Sequence, residues 1–191
     1  FKVGSHAYNN RNTSEYVAWC WDMSNPTSNI GNTAIQFDNS DDSIDFELGT
    51  ALGTGSFTVE YWTYIDSLQN YDTFFSTTRG GTGFNSGTDA DGKAVWYSVG
   101  DDRLLESASG TYVVGRWYHT AYVKNGTTIK VYVNGIEKDS ATDNNDYSEA
   151  TASIGSLDSG GEFAGIKLDA FRISNVARYT SNNFESPKAR F

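Results

Sequence analysis

The sequence predicts an all-β domain, a two-sheet antiparallel sandwich, and three observations carry that expectation. Apolar and polar residues alternate with period two in short runs instead of recurring every three or four positions. Turn residues punctuate the runs at regular spacing, with 19 Gly against 2 Pro. No stretch of about ten residues or more keeps a helical period with caps at its ends. The length of 191 residues suits one such domain. An aromatic content of 15% supplies a sizeable core.

The elements follow in chain order. Residues 1–32 form a leader dense in Asn and Ser, with one strand candidate, Glu15–Trp21. The main domain is read as 33–174. Its first strands are Thr33–Phe37, Ser43–Leu48, Ser56–Ile65 and Asp72–Thr77. Lys93–Val99 and Arg103–Ser107 follow. The clearest segment is 116–139: strand Arg116–Lys124, then Asn125-Gly126, strand Thr127–Val133, then Asn134-Gly135, and strand Ile136–Asp139. Asn-Gly supplies the positive φ angles of a two-residue type I′ hairpin, so this is a three-stranded meander. Ile129, Val131 and Val133 share one face of its middle strand, and Thr128, Lys130 and Tyr132 the other. Ala152–Ile154 and Phe163–Ile173 complete the strands. The nearest helical candidate, Ser174–Tyr179, is one or two turns at most, and 175–191 reads as a tail packing on the domain.

Composition removes several function classes. The formal net charge of −10 repels phosphate backbones, which excludes nucleic acid as a partner. No run reaches the ~18 apolar residues of a membrane span. The single cysteine, Cys20, excludes an intrachain disulfide and reads as a buried thiol between Trp19 and Trp21. The chain begins at Phe1 and holds one methionine, Met23, which reads as a piece of a longer or processed polypeptide.

Three segments resemble the laminin-G-like jelly-roll family. The first is Gly55-Ser56-Phe57-Thr58-Val59-Glu60-Tyr61-Trp62. The second is Gly115-Arg116-Trp117-Tyr118-His119-Thr120-Ala121, followed by Lys130-Val131-Tyr132-Val133-Asn134-Gly135. The third is Phe163-Ala164-Gly165-Ile166-Lys167-Leu168-Asp169-Ala170-Phe171-Arg172-Ile173. Their order and spacing agree with that family over Ile30–Ile173. The resemblance implies a jelly-roll, concanavalin A-like version of the sandwich. The end of the chain, Val176-Ala177-Arg178-Tyr179-Thr180 with Asn183, Phe184 and Pro187, is similar to versions of the domain in bacteriophage and marine-virus structural proteins. The segment Tyr16–Trp21 is also similar to stretches of phage virion proteins. Fold does not fix function, because this sandwich hosts lectins, glycosidases, adhesins and spacers.

Catalysis finds little support. Ser43-Ile44-Asp45-Phe46-Glu47 resembles the Glu-x-Asp-x-Glu strand of retaining glucanases of the same superfold. Alternation would put three such groups on one face to straddle the sugar. Ser43 stands at the nucleophile position and cannot form a glycosyl-carboxylate bond. Asp45 and Glu47 remain, about 7 Å apart along a strand, and read as solvated acids of an edge strand, with an inverting pair as the alternative. His119 shares its strand face with Trp117, Ala121 and Val123 and reads as a hydrogen-bonded core residue. His6 has no evident base or nucleophile beside it. No zinc spacing, phosphate loop or redox motif is present.

Two binding chemistries stay open. Asp38-Asn39-Ser40-Asp41-Asp42 is a carboxylate-rich turn, and Asp38, Asp41 and Asp42 would supply hard oxygens to calcium. The competing reading is turn chemistry, because Asp and Asn cap local backbone groups. Asp89-Ala90-Asp91-Gly92 is weighed the same way. No cofactor is required. Sugar recognition needs exposed aromatic faces beside hydrogen-bonding groups. Trp62, Tyr64, Tyr71, Trp96 and Tyr97 are the candidates, against the reading that they pack the sandwich.

The expected function is a non-enzymatic virion structural or adhesion domain of a fibre, tail or capsid-decorating protein. Its partners would be other virion subunits, in a homo-oligomer, and a cell-surface glycan. The alternative is a free-standing extracellular carbohydrate-binding module assisted by calcium. The strand Tyr16–Trp21 is apolar on both faces, so the leader is expected to anchor the domain against a neighbouring subunit.

Overall fold

The computed structural model describes residues 34–77, 81–100, 102–157 and 160–187. The leader, with Glu15–Trp21, His6 and Cys20, lies outside the described residues. Twelve strands are present and no helix is found among the described residues. They are β1 Ile35–Asp38, β2 Ile44–Glu47, β3 Phe57–Ile65, β4 Asp72–Thr77, β5 Asn85–Thr88, β6 Ala94–Ser98, β7 Asp102–Glu106, β8 Trp117–Asn125, β9 Thr128–Val133, β10 Ile136–Thr142, β11 Thr151–Ile154 and β12 Gly165–Ser174. They build two antiparallel six-stranded sheets. The first runs β1-β12-β3-β8-β9-β10 and the second β2-β11-β4-β5-β6-β7. This is the two-sheet jelly-roll sandwich that the alternation and the turns predict.

Period-two alternation puts one set of each strand's side chains between the sheets. From β3 these are Phe57, Val59, Tyr61 and Ile65, and from β9 Ile129, Val131 and Val133. Trp96 of β6 fills the centre, stacked on Phe84 at 4.2 Å and edge-on to Tyr147 at 5.9 Å. Its indole N–H donates to the Tyr147 hydroxyl at 3.1 Å. A buried ion pair closes one edge of this core. Lys124 Nζ lies 3.5 Å from Asp143 Oδ2 and donates to the Asn145 carbonyl at 2.9 Å, with both side chains buried. Those two bonds satisfy an ammonium that burial would otherwise penalise.

The meander of β8, β9 and β10 forms with one shift. Asn134 and Gly135 both take positive φ, 53° and 75°, as a type I′ turn requires. At the other turn Asn125 pairs with Thr128, so Gly126 and Thr127 form the loop and Gly126 alone has positive φ. That is the pattern of a turn with glycine first. No helical turn forms at Ser174–Tyr179. Ser174 ends β12, and the chain continues as an extended segment held by Thr58, whose hydroxyl donates to the Val176 carbonyl at 2.8 Å and accepts the Arg178 N–H at 3.0 Å.

Strand β5 has no counterpart in the sequence reading. Its sequence, Asn-Ser-Gly-Thr, lacks apolar alternation, and its neighbours supply the reason it is a strand. A Cβ on Gly87 would stand 1.8 Å from the Asp72 carbonyl oxygen, so only glycine lets β4 and β5 close here. No helix among the described residues is long and apolar enough to cross a membrane.

Candidate functional site

Three connections converge at one end of the sandwich. They are the β1–β2 turn, the β3–β4 loop and the β11–β12 loop. The Gly165 carbonyl accepts the Asp66 and Ser67 N–H groups at 2.9 and 3.1 Å. A Cβ on Gly165 would stand 3.4 Å from the Cβ of Asn39, so the acidic turn lies against the same backbone. Between these loops opens a recess of about 310 Å³, lined by Asn39, Gln69, Asn70, Tyr71, Asp72, Glu162 and Phe163.

The walls are rich in hydrogen-bond acceptors and carry two aromatic rings. Asp72 opens β4 and is 2% exposed. Its Oδ2 accepts the Gln69 N–H at 2.8 Å, which closes the loop, while Oδ1 has no hydrogen-bond partner. Burial raises its carboxyl from 3.8 to about 6, and the single N–H bond from Gln69 offsets only part of that rise. Glu162 takes a φ of 48°. Its carbonyl accepts the Thr73 N–H at 3.0 Å, and its Oε2 accepts from the Thr73 hydroxyl and from Asn85 Nδ2, both at 3.3 Å. Tyr71 is 54% exposed at the mouth. Such a surface offers the Glu162 carboxylate and the amides of Gln69 and Asn70 to hydroxyl donors, and the Tyr71 ring to an apolar face.

The five aromatic candidates do not form one site. Tyr71 lines the recess, and Tyr97 lies on β6 outside that lining. The Tyr97 hydroxyl accepts from Arg103 Nε at 3.0 Å, and the guanidinium carbon stands 5.2 Å from its ring centre. Trp62 and Tyr64 lie on the outer face of the first sheet, half-buried. Tyr64 meets Trp117 at 5.6 Å and Lys167 Nζ at 4.4 Å. Trp96 has no exposed surface and cannot meet a ligand outside the core. Sequence reasoning missed Asn39, Gln69, Asp72, Glu162 and Phe163 as a group. Tyr71 directly before Asp72 at a strand start was the available signal.

The acidic turn brings one carboxylate oxygen each from Asp38, Asp41 and Asp42 within 4.8 Å of one another, all on exposed residues. Two of these groups already hold backbone. Asp42 Oδ2 accepts the Asp38 N–H at 3.0 Å, and Asp38 Oδ1 accepts the Ser40 N–H at 2.9 Å. Asp89 likewise accepts the Asp91 and Lys93 N–H groups, and it pairs with Arg103 at 2.9 Å. Asp45 and Glu47 are exposed on β2, an edge strand of the second sheet, and Glu47 Oε1 accepts the Thr151 hydroxyl at 2.9 Å.

The rest of the first sheet's outer face is closed. Residues 176–184 cross the first sheet, and Ala177, Tyr179 and Phe184 cover Ala121, Val123 and Tyr132. Glu60 lies beneath them, bonded by Arg172 at 2.6 and 2.8 Å and by the Tyr179 hydroxyl at 2.6 Å. Burial alone would raise the Glu60 carboxyl. The bonds from His119 and Tyr179 and the charge of Arg172 override it and hold the group below its ordinary value. His119 is therefore buried and hydrogen-bonded as expected, but it lies outside the core between the sheets, on the outer side of its sheet against Tyr179 and Phe184.

The model of the concanavalin A-like lectin/glucanases superfamily matches residues 37–181. No curated protein matches the chain by sequence. Solved structures share its fold. Domain 4 of AbnA, an extracellular arabinanase of Geobacillus stearothermophilus, in complex with arabinotriose, has 21% identity and a TM-score of 0.61, over 89% of this chain and 79% of that one. The CBM40 module of the Ruminococcus gnavus IT-sialidase, bound to α2,3-sialyllactose, has 11% identity and a TM-score of 0.59, over 76% and 91%. The NanB sialidase of Streptococcus pneumoniae has 20% identity and a TM-score of 0.60 over 78% of this chain, which spans only 26% of that protein.

Proposed function

The chain belongs to the concanavalin A-like lectin/glucanases superfamily, and on that premise we propose that it is a non-enzymatic binding domain that takes a glycan in the recess beside Tyr71. The observation that carries this reading is the lining itself: Asn39, Gln69, Asn70, Asp72 and Glu162 around the rings of Tyr71 and Phe163. Sugars present hydroxyl donors on their edges and C–H groups on their faces, and those are the two chemistries the recess serves. The carbohydrate-bound modules of the same fold support it. Catalysis is disfavoured because Asp45 and Glu47 sit on an exposed edge strand with Ser43 at the nucleophile position.

We place the domain in a virion, as a structural and adhesion part that meets neighbouring subunits and presents the recess to a cell-surface glycan. The resemblance of Val176–Pro187 to phage and marine-virus structural proteins supports this placement. Glycan-array binding of the whole chain tests the recess, with Tyr71→Ala as control. Its recovery in purified particles tests the virion. Glycan binding by a monomer absent from particles would instead favour the free-standing carbohydrate-binding module.

A further inference from the structure

We infer that the recess receives the free end of a glycan chain, about one or two sugar residues, and not an internal run of it. This rests on the glycan reading above and adds which part of the glycan is bound. The volume of about 310 Å³ stands at the lower end of the ~300–1,000 Å³ typical of small-molecule pockets. The groups that a ligand can reach there are few. Gln69, Asn70 and Tyr71 are exposed, and Asn39 and Phe163 are half-buried. They offer two rings to sugar faces and three side-chain amides, each both donor and acceptor, to the hydroxyls around those faces. The wall is held by backbone: the Gly165 carbonyl takes the Asp66 and Ser67 N–H groups, and Asp72 Oδ2 takes that of Gln69.

A site for an internal run needs a series of open ring faces leading away from it, so that successive residues of the chain find a platform. Among the described residues no such series leaves the recess. The Trp62 ring meets His119 at 5.5 Å, and Tyr64 meets Trp117 and Lys167, so both rings already face neighbours. Trp96 has no exposed surface, and the Arg103 guanidinium stands over the Tyr97 ring. The short stretches 78–80, 101 and 158–159 hold no Phe, Tyr or Trp. The recess instead sits where loops meet at the end of the sandwich, with Tyr71 at its mouth. A glycan displayed on a surface is attached through its reducing end. The end left free to enter such a recess is therefore the non-reducing one.

The test is titration calorimetry of the whole chain with one oligosaccharide series, disaccharide to hexasaccharide, built on the best ligand from a glycan array. The expected result is an affinity constant within about threefold across the series, with one protein on each oligosaccharide at every length. Methylating the hydroxyls of the non-reducing terminal residue should weaken binding by about tenfold or more, and labelling the reducing end should leave it unchanged. Asn70→Ala and Tyr71→Ala should weaken every member by the same factor, with melting curves that verify folding. An affinity that climbs about tenfold or more from disaccharide to hexasaccharide, several proteins on each hexasaccharide, or full binding of the methylated terminus would overturn the inference while leaving the glycan reading in place. No binding by any glycan on the array would overturn the glycan reading itself.

Discussion

The His119 imidazole lies 3.2 Å from the Glu60 carboxylate, Nε2 to Oε2, and neither side chain has any exposed surface. The two face each other across β3 and β8, where Trp62 pairs with His119 and Glu60 with Ala121. Arg172 from β12 joins the cluster, as do Arg178 and Tyr179 from the segment after it. It fastens residues 176–184 onto the sheet.

Breaking that cluster should cost more than removing its rim. Glu60→Ala takes the carboxylate from a buried Arg172 contact and is expected to lower unfolding stability by roughly 3–5 kcal/mol. Tyr179→Phe removes one hydrogen bond to a charged group, about 1.5–3 kcal/mol. The double variant should fall short of the sum, because both changes act on one network. Urea unfolding of the four proteins measures this, and strict additivity would mean that the tail is held by other contacts.

Asp72→Asn should stabilise the chain above pH 6. A carboxyl raised from 3.8 to about 6 in the folded state contributes stability that is fully present below 3.8 and lost as pH rises through about 6. The shift corresponds to roughly 3 kcal/mol, so the variant's advantage should grow across that window and level off above it. Glu60 has the opposite sign, since its folded-state carboxyl is lowered and its contribution is lost only in acid, below its ordinary 4.5. The difference between variant and parent isolates Asp72. A difference flat from pH 4 to 8 would show that the carboxyl is not perturbed.

Gly87→Ala should destabilise the second sheet severely, because its Cβ would overlap the Asp72 carbonyl at 1.8 Å. Backbone must move to relieve this, with a cost of about 3 kcal/mol or more. Thermal melting checks it. A melting point within a degree or two of the parent would mean that β4 and β5 are looser than the register implies.

Much of the fold was legible because alternation is a direct image of two-sided strands. Phe57, Val59 and Tyr61 against Thr58, Glu60 and Trp62 mark a strand in any context. What alternation cannot state is which side faces the other sheet. His119, Ala121 and Val123 look like interior positions, yet they lie outward and are buried by Tyr179 and Phe184, some 60 residues later. Asn85–Thr88 stayed hidden because its reason for being a strand is the approach of Asp72, a contact between distant residues. The recess was half legible. Tyr71 stood out as an aromatic in a loop, but Glu162 and Phe163 reach it only through the β11–β12 connection.

Calcium should leave the melting temperature unchanged. Asp38 and Asp42 already hold backbone N–H groups, and all three acidic groups of the turn lie on exposed residues. A cation bound only to the folded state would raise stability by mass action. Melting in chelator and in millimolar calcium distinguishes the two readings, and a rise of several degrees with calcium would make the turn a metal site.

The most direct test of the central claim is titration calorimetry of the whole chain and of Tyr71→Ala with the best oligosaccharide from the array. The expected result is saturable one-site binding that Tyr71→Ala weakens by roughly tenfold, ~1.4 kcal/mol, with an unchanged melting curve because Tyr71 is 54% exposed. Equal affinity of the two proteins would contradict it and would move the binding site away from the recess.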